Sequence, residues 1–101
     1  MVFVSGTVGA DGEGKAVGPD AYAQAIKALQ RIEVALEEAG ASIADVVRTR
    51  IYVTDILRWD EVGKAHGEFF GAVRPATSMV EVRALISPDL VVEIEAVAVV
   101  A

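Results

Sequence analysis

The last strand-like segment of the chain alternates in a way that restricts the fold more than any other feature. Between Leu90 and Val100, every second residue is apolar, and the positions between them mix glutamates with valines. The first set is Val92, Ile94, Ala96 and Ala98, and the second is Glu93, Glu95, Val97 and Val99. A period of two predicts a β-strand with two different faces. One face suits a hydrophobic core, and the other is neither a core nor an ordinary wetted surface.

Two further segments repeat this alternation. Within Val46–Thr54, the residues expected to face the core are Val47, Thr49, Ile51 and Val53, opposite Arg48, Arg50 and Tyr52. Within Thr77–Leu85, the expected core positions are Val80, Val82 and Ala84, opposite Met79, Glu81 and Arg83. The second face would then combine arginines, glutamates and large apolar groups. Such a face predicts a subunit interface, where pairing of opposite charges lowers the cost of desolvating them.

Two helices are predicted between these strands. Asp20 is a suitable N-cap for a helix that runs to Ala39 and stops at Gly40, with apolar residues at three- and four-residue steps. Asp55 can cap a second helix over residues 57–70. Its expected buried stripe consists of Trp59, Val62, His66, Phe69 and Phe70.

A first strand over residues 2–8 and a glycine-rich loop from Gly9 to Pro19 complete the pattern. The order β-α-β-α-β-β predicts one α+β domain over residues 1–101, with both helices on one face of a mixed sheet.

Composition restricts the partners and cofactors. The 101 residues are 53% hydrophobic, and a domain of this size leaves about a third of its unfolded surface exposed, which favours association into oligomers. No apolar run approaches the roughly 20 residues of a membrane span, and the start lacks the basic region of a signal peptide. We therefore expect a cytoplasmic protein with no membrane partner.

Charge and residue usage exclude several kinds of site. The net charge of −6 and the absence of a Lys/Arg cluster argue against nucleic acid as a partner. The chain has no cysteine, which excludes thiolate nucleophiles and Cys-ligated zinc, and one histidine, which argues against a metal site.

Short motifs along nearly the whole chain resemble the RidA/YjgF/YER057c (L-PSP) family of reactive-intermediate deaminases, in family order and spacing. They are Val4-Ser5-Gly6, Glu38–Ser42, Asp45–Val47, Tyr52–Asp55, Phe69-Phe70, Arg74-Pro75-Ala76, Val80–Val82 and Val92–Ala96. The resemblance implies a chorismate-mutase-like fold of the bacterial type and a homotrimer with three clefts between subunits. It also implies hydrolysis of small imine or enamine metabolites to 2-keto acids and ammonia, with no cofactor.

The resemblance implies a set of site residues as well. The family holds the substrate carboxylate with an arginine after a Pro-Ala pair, but here Thr77 follows Pro75-Ala76. Glu93 falls on the family's acidic residue and would be the catalytic proton shuttle. The implied substrate-binding residues are Gly6, Arg74, Thr77, Ser78 and Met79. Arg74 is the candidate for the missing positive charge, and we expect Thr77 and Glu93 to share the interface face of the sheet.

The family usually begins with one more strand, which carries an active-site tyrosine. No such segment precedes Val2, so the domain is expected to lack that strand.

Structural interpretations compete with the functional ones. Glu93 could be an ion-pair partner of Arg48, Arg50 or Arg83, Arg74 a solvated loop residue, and Thr77 an ordinary β-branched strand residue. His66 is expected to be a hydrogen-bonded structural histidine rather than a general base. At the level of function, the alternatives are a non-catalytic trimeric ligand-binding or chaperone-like module and, third, an endoribonuclease or translation inhibitor.

Overall fold

The computed structural model describes all 101 residues and contains four strands and two α-helices. In chain order they are β1 (Val2–Val8), α1 (Ala21–Glu38), β2 (Val46–Val53), α2 (Trp59–Phe70), β3 (Ala76–Glu81) and β4 (Val92–Ala98). The sheet order is β1-β4-β2-β3; β2 and β3 are parallel and the other neighbours antiparallel. The predicted α+β fold is confirmed, with both helices packed on one face of a mixed sheet.

Helix α1 follows the boundaries read from the sequence. The Asp20 side chain accepts a hydrogen bond from the backbone N–H of Tyr22 at 2.9 Å, which caps the first turn. Gly40 has a φ of +83°, a left-handed conformation that ends the helix without a Cβ penalty. The apolar stripe packs on the sheet, and Leu29, Ile32 and Leu36 are fully buried. Neither this helix nor α2 combines the length and apolar character needed to cross a membrane.

Helix α2 departs from the expectation at its first residue. A 3-10 turn over Ile56–Arg58 precedes it, and Trp59, predicted to be buried, is 61% exposed. Because Cα–Cβ bonds tilt towards the helix N-terminus, a side chain in the first turn projects beyond the helix end. The prediction for Trp59 was therefore wrong. Phe70, the last residue of the helix, is buried as expected.

Strand β2 contains a bulge that changes one predicted core residue. Its register with β4 shifts between Val46 and Arg48. Val46 is consequently buried, whereas Val47, expected in the core, is 47% exposed. Beyond the bulge, Thr49 and the alternate residues that follow it face the helices as predicted.

The side chains of strand β3 lie on the faces of the sheet opposite to those predicted. Its parallel register aligns Thr77 with Thr49 and Met79 with Ile51, so their side chains lie on the helix-covered face. Met79 packs against the core, and Val80 is 48% exposed. Both alternating sets of this strand contain an apolar residue, so hydrophobicity alone did not fix its orientation. The pairing of β3 with β2 fixed its orientation.

One polar side chain closes the core beneath the loops. Gln24 on α1 is fully buried, and its Nε2 donates to the carbonyls of Gly18 at 2.6 Å and Asp89 at 2.9 Å. Its Oε1 accepts a hydrogen bond from the Val91 N–H at 2.9 Å. Both N–H groups and the carbonyl oxygen of the Gln24 amide are therefore hydrogen-bonded, as burial of an amide requires. Gln24 thereby connects the loop before α1 to the segment that leads into β4.

Candidate functional site

The helix-free side of the sheet is a continuous surface that we call the open face. Its side chains come from all four strands: Phe3 of β1, Arg48, Arg50 and Tyr52 of β2, Ser78 and Val80 of β3, and Glu93, Glu95 and Val97 of β4. Phe3 is 71% exposed, although it is a large aromatic side chain in the middle of a strand. Charged and apolar groups are mixed here, as the sequence predicted.

Glu93 lies on the open face against the backbone of Gly6. A Cβ atom at Gly6 would overlap the Glu93 carboxylate, so a larger residue there would force the Glu93 side chain to move. The Glu93 side chain is partly buried and forms no hydrogen bond or ion pair within the chain. The structure therefore brings Gly6 and Glu93 together, and it does not support the interpretation of Glu93 as an ion-pair partner within the protomer.

The neighbouring glutamate has the structural role instead. Arg50 Nε lies 2.6 Å from Glu95 Oε1, and the Tyr52 hydroxyl donates to the same oxygen at 2.8 Å. This hydrogen bond to a carboxylate, together with some burial, raises the pKa of Tyr52 above its ordinary value. A shallow depression of about 80 Å³ lies beside the pair and is lined in part by Phe3 and Val97. Arg50 is thus committed to Glu95, and Glu93 remains unpaired.

The residue at the family's arginine position belongs to a hydrogen-bond chain on the other face. Thr77 Oγ1 lies 2.8 Å from Thr49 Oγ1, and Thr49 Oγ1 lies 2.8 Å from His66 Nε2. Thr77 Oγ1 also donates to the Pro75 carbonyl at 3.1 Å. Thr49 is fully buried, but its hydroxyl is hydrogen-bonded to both Thr77 and His66. The sequence signals for this network were a threonine among the expected core positions of β2 and a histidine on the expected buried stripe of the second helix.

His66 completes the network from α2. Its ring packs on Phe70 with centroids 4.7 Å apart, and burial lowers the pKa of His66 below its ordinary value. The ring is therefore neutral at pH 7 and hydrogen-bonded, which agrees with the structural role expected for it.

Thr77 and Glu93 do not share a site within one protomer, contrary to expectation. Glu93 is aligned with Tyr52 on β2, three residues beyond Thr49, the partner of Thr77. With a strand rise of about 3.3 Å and a spacing of about 4.8 Å, their Cα atoms are about 14 Å apart, on opposite faces. Any cleft that contains both residues needs two copies of the chain.

The other site residues that the family resemblance implies also lie in different places. Ser78 is aligned with Arg50 and is exposed on the open face, whereas Met79 packs inward. Arg74 is exposed in the turn before β3, with a left-handed φ of 56°, and forms no ion pair within the chain.

Two helices on one face of a β1-β4-β2-β3 sheet define the class as chorismate-mutase-like α+β domains. The model of the family described as Endoribonuclease L-PSP matches residues 1–100, and the chain belongs to this family. The resemblance to RidA/YjgF proteins is thereby confirmed.

Individual relatives agree with this assignment. A 2-iminobutanoate/2-iminopropanoate deaminase from Salmonella typhimurium is 37% identical over 102 residues, which cover 98% of this chain and 79% of the relative. A RutC family protein from Pyrococcus abyssi is 37% identical over 99 residues, which cover 97% of this chain and 77% of the relative. The crystal structure of a YjgF/YER057c/UK114 family member from Mycobacterium tuberculosis superposes with a TM-score of 0.89 at 60% identity, covering 97% of this chain and 77% of that one.

Proposed function

We propose that this protein hydrolyses small imines or enamines in clefts between copies of the chain, with Glu93 as the proton shuttle. The observation that carries the proposal is the Glu93 carboxylate, which is partly buried against Gly6 and has no partner within the chain. A carboxylate kept free on a surface where its neighbour Glu95 is fully engaged suits a reactive role. The deaminase activity named for the Salmonella relative supports the same reaction class.

The chemistry needs one group that both accepts and returns a proton. Water adds to the C=N carbon, the nitrogen is protonated, and the resulting carbinolamine collapses to a ketone and ammonia. Glu93 can accept the proton from the attacking water and deliver it to the nitrogen, a contribution typically of 10²- to 10⁴-fold. The net reaction consumes one water per imine and requires no other reactant.

The clefts are proposed to form in a homotrimer whose subunits cover one another's open faces. Phe3, Val80 and Val99 are exposed on or beside this surface, each by 45% or more. Removing such apolar area from water stabilises association by about 25 cal/mol per Å². Assembly would also bring the Thr77 edge of one subunit towards the Glu93 surface of another.

Replacing Phe3 by Asp is expected to convert the trimer to monomers without unfolding the domain. The substitution places a charge where an apolar contact is proposed, while the side chain contributes little to the core of the isolated chain. Analytical ultracentrifugation with circular dichroism measures both properties. The matched control is Val34→Asp on the outer surface of α1, which should leave the trimer intact. A wild-type monomer at micromolar concentration would contradict the proposal.

Thr77→Arg is expected to raise hydrolysis of 2-iminopropanoate about ten- to a hundredfold, because a charge-assisted bond to the substrate carboxylate is worth about 1.5–3 kcal/mol. Thr77 is exposed on the edge strand, so an arginine fits without overpacking the core. Ammonia release from the freshly generated imine gives the rate. Thr77→Gln, similar in length but uncharged, should gain little. An equal gain in both variants, or no gain in a trimeric Thr77→Arg, would argue against the arginine's proposed role.

The second candidate is a trimeric ligand-binding module without catalysis, and the threonine at the arginine position is the observation that favours it. Ammonia release by the wild type no faster than in the absence of protein would select this candidate.

A further inference from the structure

The hydroxyl of Thr77 has little freedom, because most of its hydrogen-bonding capacity is used within the chain. A hydroxyl carries one proton and two lone pairs. Thr77 Oγ1 has Thr49 Oγ1 at 2.8 Å and the Pro75 carbonyl at 3.1 Å. One hydrogen-bonding position of Thr77 Oγ1 therefore remains for a ligand. Whether this position is a donor or an acceptor depends on where the Thr77 proton points.

Two arrangements of protons use both contacts and the single proton of the buried Thr49 hydroxyl. If His66 Nε2 carries a proton, it donates to Thr49, Thr49 donates to Thr77, and Thr77 donates to the Pro75 carbonyl. If His66 Nε2 is bare, Thr49 donates to it, and Thr77 donates to Thr49 instead of to the Pro75 carbonyl. The Thr77 proton is used inside the chain in both cases, whichever tautomer His66 adopts.

Thr77 thus offers a lone pair to the cleft and no donor. This is the opposite of an arginine, which has five N–H donors and no acceptor. A carboxylate has only acceptor oxygens, so it gains no bond from Thr77 unless an internal hydrogen bond is broken. Neighbouring His66 supplies no positive charge, since its ring is neutral at pH 7.

We infer that Thr77 makes its side of the cleft select uncharged ligands with an N–H or O–H donor, such as primary amides, over carboxylates. This inference rests on the proposed function, since it concerns the same cleft, and it names a substrate class: imines that carry a donor group where the relatives' substrates carry a carboxylate. Recognition by a hydrogen bond of fixed polarity discriminates strongly, because the wrong partner leaves a polar group unpaired.

The test compares 2-oxobutanamide with 2-oxobutanoate, which share a carbon skeleton and differ in the group that faces Thr77. Both are stable, so binding to the full trimeric chain can be titrated by NMR or calorimetry. We expect the amide to bind at least about tenfold more tightly. Thr77→Val preserves the side-chain shape, deletes the acceptor and should reduce this ratio at least threefold. Thr77→Ser keeps the hydroxyl and should retain the ratio.

Several outcomes would overturn the inference. They are equal or tighter binding of 2-oxobutanoate by the wild type, an unchanged ratio in a folded Thr77→Val variant, and binding of neither compound at millimolar concentration. The wild-type ratio decides the matter even if Thr77→Val does not fold. Ammonia release is measured separately: a chain that prefers the amide but hydrolyses no imine keeps the inference and loses the proposed function. A chain that hydrolyses imines but prefers the carboxylate loses the inference and keeps the proposed function.

Discussion

Glu93→Gln is expected to reduce imine hydrolysis by about two to three orders of magnitude while leaving the proposed trimer intact, because glutamine keeps the shape of the side chain but cannot carry a proton between water and nitrogen. The carboxylate has no hydrogen bond or ion pair within the chain, so its loss should cost little stability. The measurements are the rate of ammonia release and the midpoint of urea unfolding for the same preparation.

The matched control is Glu95→Gln, on the same strand and the same face. It should behave in the opposite way, because Glu95 accepts from Tyr52 and pairs with Arg50. We expect a measurable loss of stability or assembly and nearly unchanged turnover per assembled subunit. Full activity of Glu93→Gln would remove Glu93 from the mechanism. A loss of assembly in that variant would assign it a structural role between subunits.

Gln24→Leu is expected to lower the free energy of unfolding by about 3 kcal/mol. Leucine is similar in volume, but it leaves the Gly18 and Asp89 carbonyls and the Val91 N–H without their partner. Because these bonds are only partly buried, each loss is expected to cost about 1 kcal/mol, the low end of the range for an unsatisfied group. Urea unfolding followed by circular dichroism gives the change, at fixed protein concentration because the proposed trimer would make stability depend on concentration.

Gln30→Leu provides the comparison for this variant. Gln30 lies on the exposed side of the same helix, where such a change alters stability by about 0.5 kcal/mol or less. A Gln24→Leu variant as stable as this control would mean that water replaces the lost partners. The expected loss also bears on function, since Val91 immediately precedes the strand that carries Glu93.

The network around Thr49 illustrates a kind of site that sequence patterns reveal poorly. Thr49, His66 and Thr77 come from β2, α2 and β3, and none of them is unusual in its own segment. The motif Pro75-Ala76 identified Thr77 as the position of the family's arginine. Only the parallel pairing of β3 with β2 shows that its hydroxyl is engaged by a buried threonine.

The sequence by itself determined the helices, the order of the elements, the two-faced β4 and the family. These features depend on local periodicity, on caps such as Asp20 and Gly40, and on motifs read in order, and each is encoded within a short segment. The tertiary structure alone decided which way β3 faces, that Val46 rather than Val47 enters the core, and that Thr77 lies about 14 Å from Glu93. The physical reason is that register and bulges are set by the partner strand, and a shift of one residue moves every side chain to the other face.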